Sequence, residues 1–155
     1  MAEDLKLGVE RHIDAPPEVV WRVMTERMAE WWCPLPWTVE VEEMDRRPGG
    51  RVAMTMRGPD GEAMPNEGVI LEYVPGVRWV SSDAFTAGWR PSGPFLVGTW
   101  EIEPAEGGTL YRAHARHWTA EAYEQHRSMG FEQGWGVVAD QLKALAEAAV
   151  KGEAK

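Results

Sequence analysis

The sequence predicts an α+β fold in which a curved antiparallel sheet packs against one long C-terminal helix. Two observations support this prediction. Between residues 39 and 117 apolar side chains recur at every second position, as they do in half-buried strands. From Thr119 to about Val150 they recur instead with a helical period. The apolar stripe of such a helix needs a partner surface, and the apolar face of the sheet is the large candidate.

The N-terminal region predicts one strand followed by two short helices. Leu7–Ile13 has the composition of a strand. Pro16 and Pro17 fit the start of a helix, because a proline lacks only an N–H group that has no partner in the first turn. A second short helix is expected over Arg27–Trp31, since Pro34 disfavours helical backbone just before it.

Six further strands are predicted from runs with a period of two. The runs cover residues 39–41, 52–57, 69–74, 79–85, 96–102 and 111–117, and glycine- and proline-rich turns separate them. With the first strand they form a seven-stranded sheet in meander order. The side chains predicted to face the helix are Met54, Met56, Leu71, Trp79, Phe85, Trp100, Ala115 and His117.

The C-terminal pattern predicts one helix of about 30 residues that starts after Thr119. Trp135, Val138 and Leu142 lie at the centre of its stripe and are expected to be deeply buried. Gly130, Gly134 and Gly136 interrupt the helix, and each costs roughly 0.5–1 kcal/mol relative to alanine. Either close packing against the sheet or room for a ligand beside Phe131 and Trp135 would compensate for this cost.

Length and composition favour a single domain. The chain has 155 residues, and we expect a core over about residues 7–148 and a frayed tail at 151–155. There is no apolar run of about 18 residues, and the acidic N-terminus does not resemble a signal peptide, so we expect a cytoplasmic protein without a membrane partner. A net charge of −9 disfavours nucleic-acid binding. Nine tryptophans and eight methionines fit either an ordinary core or an apolar cavity.

Few residues predict chemistry, and we predict no catalytic residue, metal ligand or cofactor. His114 and His117 lie three apart on one strand and face opposite sides of the sheet. His117 is either a polar group in the cavity or a strand-end histidine half in water. Asp83 is expected on the same strand face as Trp79 and Phe85, and burial among apolar side chains would raise the pKa of its carboxyl group. The alternative is that the strand ends there and the carboxylate reaches water. Cys33 alone forms no intramolecular disulfide or cysteine-rich zinc site.

Five short motifs carry a resemblance to a known family. They are RHIDAPPEVVW at residues 11–21, EWW at 30–32, DRRPGG at 45–50, GGT at 107–109, and MGFEQGW at 129–135 running into DQL at 140–142. Together they resemble the SRPBCC superfamily, also called START-like or Bet v 1-like, in its bacterial branch similar to the C-terminal domain of the Hsp90 ATPase activator Aha1. The resemblance covers about residues 7–148 and implies the helix-grip fold.

The resemblance implies three hypotheses for function. The first is a module that binds a hydrophobic or aromatic small molecule between sheet and helix. The second is a cyclase or hydrolase that uses Asp83, His117 or Tyr111 as acid or base. The third is a chaperone-interacting protein, although the N-terminal domain of the eukaryotic activators has no counterpart before residue 7. For the first hypothesis the expected lining is Met54, Met56, Leu71, Trp79, Phe85, Trp100, Ala115, His117, Phe131, Trp135 and Val138.

Overall fold

The computed structural model describes residues 5–93 and 96–153. Strand β1 (Lys6–Ile13) is followed by two short helices, α1 (Pro17–Glu26) and α2 (Met28–Trp31). The remaining strands are β2 (Thr38–Met44), β3 (Arg51–Arg57), β4 (Ala63–Val74), β5 (Arg78–Ser82), β6 (Phe85–Thr86), β7 (Arg90–Pro91), β8 (Leu96–Ala105) and β9 (Gly108–His117). Two helices, α3 (Ala120–Ser128) and α4 (Phe131–Glu153), complete the described chain.

Seven strands form one antiparallel sheet in the order β1-β9-β8-β5-β4-β3-β2. The first strand joins the last one, because Lys6–Ile13 pairs with residues 109–116 of β9. Helix α4 packs along β1 and contacts both α1 and α2. The predicted helix-grip architecture, with its seven-stranded sheet and the two short helices after β1, is confirmed. Among the described residues, no helix combines the length and apolar character needed to cross a membrane.

The prediction that the fifth strand of the sheet runs to Phe85 is wrong. Strand β5 ends at Ser82, and Phe85 begins a separate two-stranded ribbon with β7. Gly88 and Trp89 both have positive φ angles, of 88° and 57°, which closes this ribbon tightly. The Phe85 ring meets the edge of Trp89, and the Trp89 ring in turn covers Gly49, where a Cβ would lie 2.9 Å from it. Phe85 therefore packs within the ribbon.

A bulge in β4 overturns the predicted orientation of Leu71. Ile70 pairs with Ser81 but Glu72 pairs with Val80, so Leu71 is the extra residue between them. Beyond the bulge, the side chains that face the core stand at positions of the opposite parity from those before it. Ile70 is fully buried and belongs to the main core, whereas Leu71 is only half-buried and does not.

The C-terminal helical region is two helices, not one. Thr119 caps α3, and its Oγ1 accepts a hydrogen bond from the backbone N–H of Ala122 at 3.0 Å. Gly130 separates α3 from α4 with a φ of 93°, a conformation that residues with a side chain rarely adopt. Helix α4 continues to Glu153, so residues 151–153 are helical where a frayed tail was expected, and residues 154 and 155 lie outside the described chain.

The predicted burial of the α4 stripe holds for two of its three central residues. Val138 and Leu142 are 3% and 0% exposed, but Trp135 is only half-buried. Val138 and Leu142 belong to the main core together with the buried face of α1 and with Trp31 of α2. Trp135 lies nearer the start of α4 and borders an open space between the helix and the sheet.

One side chain ties α4 to the chain segment after α2. The amide nitrogen of Gln141 donates to the carbonyl oxygens of Trp31 and Cys33, at 3.0 and 2.9 Å. Its amide oxygen accepts from the backbone N–H of Leu35 at 3.2 Å. A glutamine at this position satisfies three backbone groups, one at the last residue of α2 and two in the segment after it, which belongs to neither a helix nor a strand.

We predict that Gln141→Leu lowers the free energy of unfolding by about 2–3 kcal/mol, because three hydrogen bonds of about 1 kcal/mol each are lost and two partly buried carbonyls lose their partner. Urea denaturation measures the change. Gln133→Leu, at an exposed position on the same helix, is the control and should alter stability by less than about 0.5 kcal/mol. Equal effects of the two substitutions would contradict the role assigned to Gln141.

Candidate ligand pocket

A pocket of about 360 Å³ lies between the sheet and the start of α4. Strands β3, β4, β5 and β8 supply one wall, and the segment from His126 to Val138 supplies the other. Ten of the described lining residues are methionines, tryptophans or phenylalanine. These residues are Met28, Trp32, Met44, Met54, Met56, Trp79, Trp100, Met129, Phe131 and Trp135. The volume falls in the range of sites that hold drug-sized ligands.

Three stacked tryptophans form the deep end of the pocket. Trp79 and Trp100 are a cross-strand pair of β5 and β8, with ring centroids 5.5 Å apart and planes 21° apart. Trp135 of α4 stacks on the other face of this pair, with its centroid 5.5 Å from that of Trp100 and an angle of 18°. Trp32 meets Trp100 and Trp135 edge-on. Offset and edge-to-face contacts of this kind stabilise by about 0.5–1.5 kcal/mol per pair beyond area burial.

Glycines make room for this arrangement. At Gly98 a Cβ would lie 2.6 Å from the Trp100 ring, so only a glycine lets that indole lie flat along β8. At Gly134, which lines the pocket, a Cβ would meet nothing within 4 Å. Of the two explanations for the helix glycines, open space therefore applies to Gly134. Gly136 faces the Arg11 guanidinium instead, which a Cβ would approach to 3.1 Å.

The opposite end of the pocket is polar. Asn66 and Glu67 of β4 lie there with Ser81, Ser82 and Asp83 at the end of β5. The two strands are close at this point, since a Cβ on Gly68 would lie 2.4 Å from the carbonyl oxygen of Ser82. Asp83 is four residues beyond Trp79, which is about 13 Å along an extended chain. The pocket thus runs from an apolar interior to a polar mouth.

Hydrogen bonds fix the backbone at this mouth. Asp83 Oδ1 accepts from the backbone N–H of Leu96 at 3.2 Å. The Ser82 hydroxyl donates to the Leu96 carbonyl at 3.1 Å and accepts from the N–H of Ala84 at 3.0 Å. The strand ends before Asp83, as one of the two alternatives expected, and its half-buried side chain lines the pocket.

A pair of buried histidines stands behind the pocket wall. His117 does not line the pocket, contrary to expectation, because its ring is buried against α3. Its Nδ1 donates to the carbonyl of Leu5 at 2.9 Å, and its Nε2 shares a hydrogen bond of 2.8 Å with Nδ1 of His126. His126 lines the pocket in its place. Burial, reinforced by the neighbouring His117, lowers the pKa of His126 to about 4.

The structure brings seven of the eleven expected lining residues together around the pocket and places four elsewhere. The seven are Met54, Met56, Trp79, Trp100, Phe131, Trp135 and Val138. Leu71 and Phe85 lie away from it because of the β4 bulge and the β6–β7 ribbon, and His117 because His126 intervenes. Ala115 is fully buried in a small cluster with Leu7 and Phe131, and Phe131 is the member that reaches the pocket.

Sequence reasoning missed Met28, Trp32 and His126. Trp32 follows α2 outside any periodic segment, so only the tertiary fold brings it to Trp100 and Trp135. No local pattern marks His126, because its hydrogen bond to His117 spans the turn between β9 and α3. The one sequence signal for Trp32 was its place in the EWW motif that carries the family resemblance.

Three buried groups bear on chemistry. The Trp100 indole N–H and the Tyr111 hydroxyl are buried and have no hydrogen-bond partner among the described residues. Tyr111 does not line the pocket, and burial strongly raises its pKa, so its hydroxyl stays neutral. Cys33 is buried as well, and desolvation raises the pKa of its thiol. This environment disfavours the reactive thiolate.

Comparison with protein families assigns the chain to a known group. Residues 14–147 match the family described as Activator of Hsp90 ATPase homolog 1-like protein. The chain belongs to this family. The match begins directly after β1 and ends within α4, so it includes every residue that lines the pocket. It confirms the resemblance to the Aha1-like branch of the SRPBCC superfamily.

Solved structures of similar chains confirm the fold. A crystal structure of a protein from Nitrosomonas europaea is 33% identical, with a TM-score of 0.90, and the match covers 97% of this chain and 99% of that one. A protein from Mycobacterium smegmatis is 26% identical, with a TM-score of 0.77 and coverage of 92% and 90%. An AHSA1-like protein from Aeromonas hydrophila, 21% identical with a TM-score of 0.68 and coverage of 93% of each chain, shares the fold. No curated protein matches the chain.

The lowered pKa of His126 predicts a pH dependence of stability. Between about pH 6.5 and pH 4 the unfolded chain binds a proton at residue 126 that the folded chain does not. Stability should therefore fall as the pH falls through this window, by about 1–3 kcal/mol from this group. Urea titrations at several pH values measure it.

His126→Asn should flatten this dependence, because its amide can still donate to His117 but does not titrate. His114→Asn is the matched control, since His114 lies on β9 with His117 but on the other face of the sheet. A slope that is as steep in His126→Asn as in the wild type would show that another group causes it.

Proposed function

We propose that this protein binds a hydrophobic, aromatic small molecule in the pocket between the sheet and α4. The observation that carries the proposal is the open space beside the tryptophan stack, about 360 Å³ in volume and lined by indole rings and methionine side chains. Flat rings offer a large contact area, and thioethers adapt to varied shapes.

The partial exposure of Trp135 supports the same proposal. A large aromatic side chain at the centre of an apolar stripe would be expected to be fully buried, yet Trp135 is only half-buried because one side of its ring faces the pocket. A planar ligand would cover this surface and remove it from water. Burial of apolar surface contributes roughly 25 cal/mol per Å².

The unpartnered N–H of Trp100 adds a polar element to this apolar wall. Trp100 lines the pocket and is 5% exposed, and its Nε1 has no acceptor among the described residues. A buried donor without a partner costs about 1–3 kcal/mol. Because this nitrogen has almost no accessible surface, a ligand acceptor would reach it only after the rings around it shift.

An enzymatic role has weaker support. Of the three residues considered as acid or base, His117 and Tyr111 do not line the pocket, and only Asp83 does. Contact with an Hsp90-type chaperone is a second candidate function, and the family description is the observation that favours it. Retention of the protein on an immobilised Hsp90-type chaperone would test that candidate independently of the pocket.

Filling the pocket from α4 tests the binding proposal. N-phenyl-1-naphthylamine, a neutral probe that fluoresces in apolar surroundings, should bind saturably to the wild type. Gly134→Leu should weaken this binding at least tenfold, because the new side chain enters the open space beside residue 134. It should not destabilise the fold, since leucine favours a helix over glycine by roughly 0.5–1 kcal/mol.

Gly152→Leu is the matched control, because Gly152 lies on the same helix, is exposed, does not line the pocket and has nothing within 4 Å of its would-be Cβ. It should bind the probe as the wild type does. If the wild type does not bind the probe, and Gly134→Leu instead costs 1–3 kcal/mol as overpacking does, the pocket is not a binding site.

A further inference from the structure

The polar residues of the pocket lining differ in whether the fold already uses their side chains. Asp83 accepts from the backbone N–H of Leu96, at the mouth of the pocket. The Ser82 hydroxyl donates to the Leu96 carbonyl and accepts from the N–H of Ala84. Both side chains hold the backbone where β5 ends, so their hydrogen-bonding groups are committed to partners within the protein.

Two further polar side chains of the lining are engaged in the same way. The Glu67 carboxylate pairs with the Arg51 guanidinium at 2.9 Å, and both residues stand on the face of the sheet opposite to Met54. His126 shares a hydrogen bond of 2.8 Å with His117. Recognition of a ligand inside the pocket therefore depends on polar groups other than these.

Ser81 is the lining residue whose hydroxyl is both sheltered and available. Its side chain is on the same face of β5 as that of Trp79, two residues away, and this face borders the pocket. Ser81 is half-buried, and its hydroxyl has no hydrogen-bond partner among the described residues. Asn66 also has none within this part of the chain, but it is exposed, so water competes with any ligand for its amide.

Glycines stand on both sides of Ser81 in the sheet wall of the pocket. Its cross-strand neighbour on β8 is Gly98, over which the edge of the Trp100 ring lies. On β4 its partner is Ile70, and Gly68 follows on the same face of that strand. Because neither glycine carries a side chain, the Ser81 hydroxyl is not covered from these two positions.

The surroundings of this hydroxyl are otherwise apolar. Met54 and Met56 on β3 and Trp135 on α4 border the same space. A ligand that packs against these side chains and covers Ser81 removes the hydroxyl from water, and a hydrocarbon offers nothing in exchange. A ligand with an oxygen at this point accepts the Ser81 O–H instead, since a serine hydroxyl can donate one hydrogen bond and accept others.

We propose that Ser81 determines which polar group a ligand of the pocket carries, and that it selects aromatic compounds with an oxygen substituent over aromatic hydrocarbons. The inference rests on the proposed binding function and adds the ligand class. The Ser81 hydroxyl donates to the ligand oxygen, and the aromatic body lies against Met54, Met56 and Trp135.

A cycle that pairs one protein hydroxyl with one ligand hydroxyl tests this inference. The probes are naphthalene and 2-naphthol, which is neutral at pH 7. Their dissociation constants for the wild type and for Ser81→Ala are measured by displacement of N-phenyl-1-naphthylamine. We expect Ser81→Ala to weaken the binding of 2-naphthol about fivefold, as the loss of one net hydrogen bond does, and to leave that of naphthalene unchanged or tighter. The difference between the two probes isolates the pair of hydroxyls.

Two other serines supply controls for the same substitution. Ser92 is exposed and does not line the pocket, so Ser92→Ala should leave the ratio of the two dissociation constants as it is in the wild type. The Ser82 hydroxyl has two partners within the protein, so Ser82→Ala should lower the thermal midpoint of unfolding. Ser81→Ala should not lower it, because no contact within the described chain is lost.

The outcomes separate this inference from the binding function. If Ser81→Ala weakens both probes by the same factor, or weakens neither, Ser81 does not select the polar group, and the pocket still binds aromatic ligands. If Ser81→Ala lowers the thermal midpoint as much as Ser82→Ala does, the hydroxyl serves the fold, and the inference is wrong as well. If neither the two probes nor the fluorescent dye bind to the wild type, the proposed function fails, and the ligand class fails with it.

Discussion

The stack of Trp79, Trp100 and Trp135 is the contact on which the arrangement of sheet, helix and pocket depends. It joins two neighbouring strands to α4 through ring faces rather than through interlocking aliphatic side chains. Rings in this arrangement hold the helix at a fixed distance from the sheet, and the space beside them stays open because Gly134 adds no side chain. The stacked rings therefore both hold α4 against the sheet and keep the pocket beside them open. A core of smaller aliphatic residues would close the gap.

The first turns of α4 and the rest of the helix have different roles in the structure. From Val138 onward the helix is held by Val138 and Leu142 in the main core and by polar contacts with β1, including the ion pair of Arg11 with Asp140. Its first turns are looser, because Gly130 separates them from α3 and Trp135 faces open space. The part of α4 from Val138 onward fixes the position of the helix, and the turns before it form a wall of the pocket.

Periodicity predicted nearly all of the fold but only part of the site. Alternation along a strand identifies one face correctly until a bulge intervenes, and the bulge at Leu71 leaves no mark in the residue types. In the same way a helical stripe passes through Gly130 unbroken, although the positive φ there ends one helix and begins another. Trp32 and His126 reach the pocket only through tertiary contacts, which no local pattern encodes. The strand-borne aromatic residues Trp79 and Trp100 were predictable because a straight, regular strand fixes their direction.

The single cysteine has a consequence for observing the protein's internal motion. Cys33 is 5% exposed and lies in the segment whose carbonyls Gln141 holds, and burial raises the pKa of its thiol. A thiol reagent in solution can reach the sulfur only when this segment detaches from α4, so the rate of labelling counts such openings. Since the chain contains no other cysteine, every labelled molecule reports the same event. The labelling rate of Cys33 thus measures how often the loop after α2 opens, and this loop also carries Trp32 of the pocket wall.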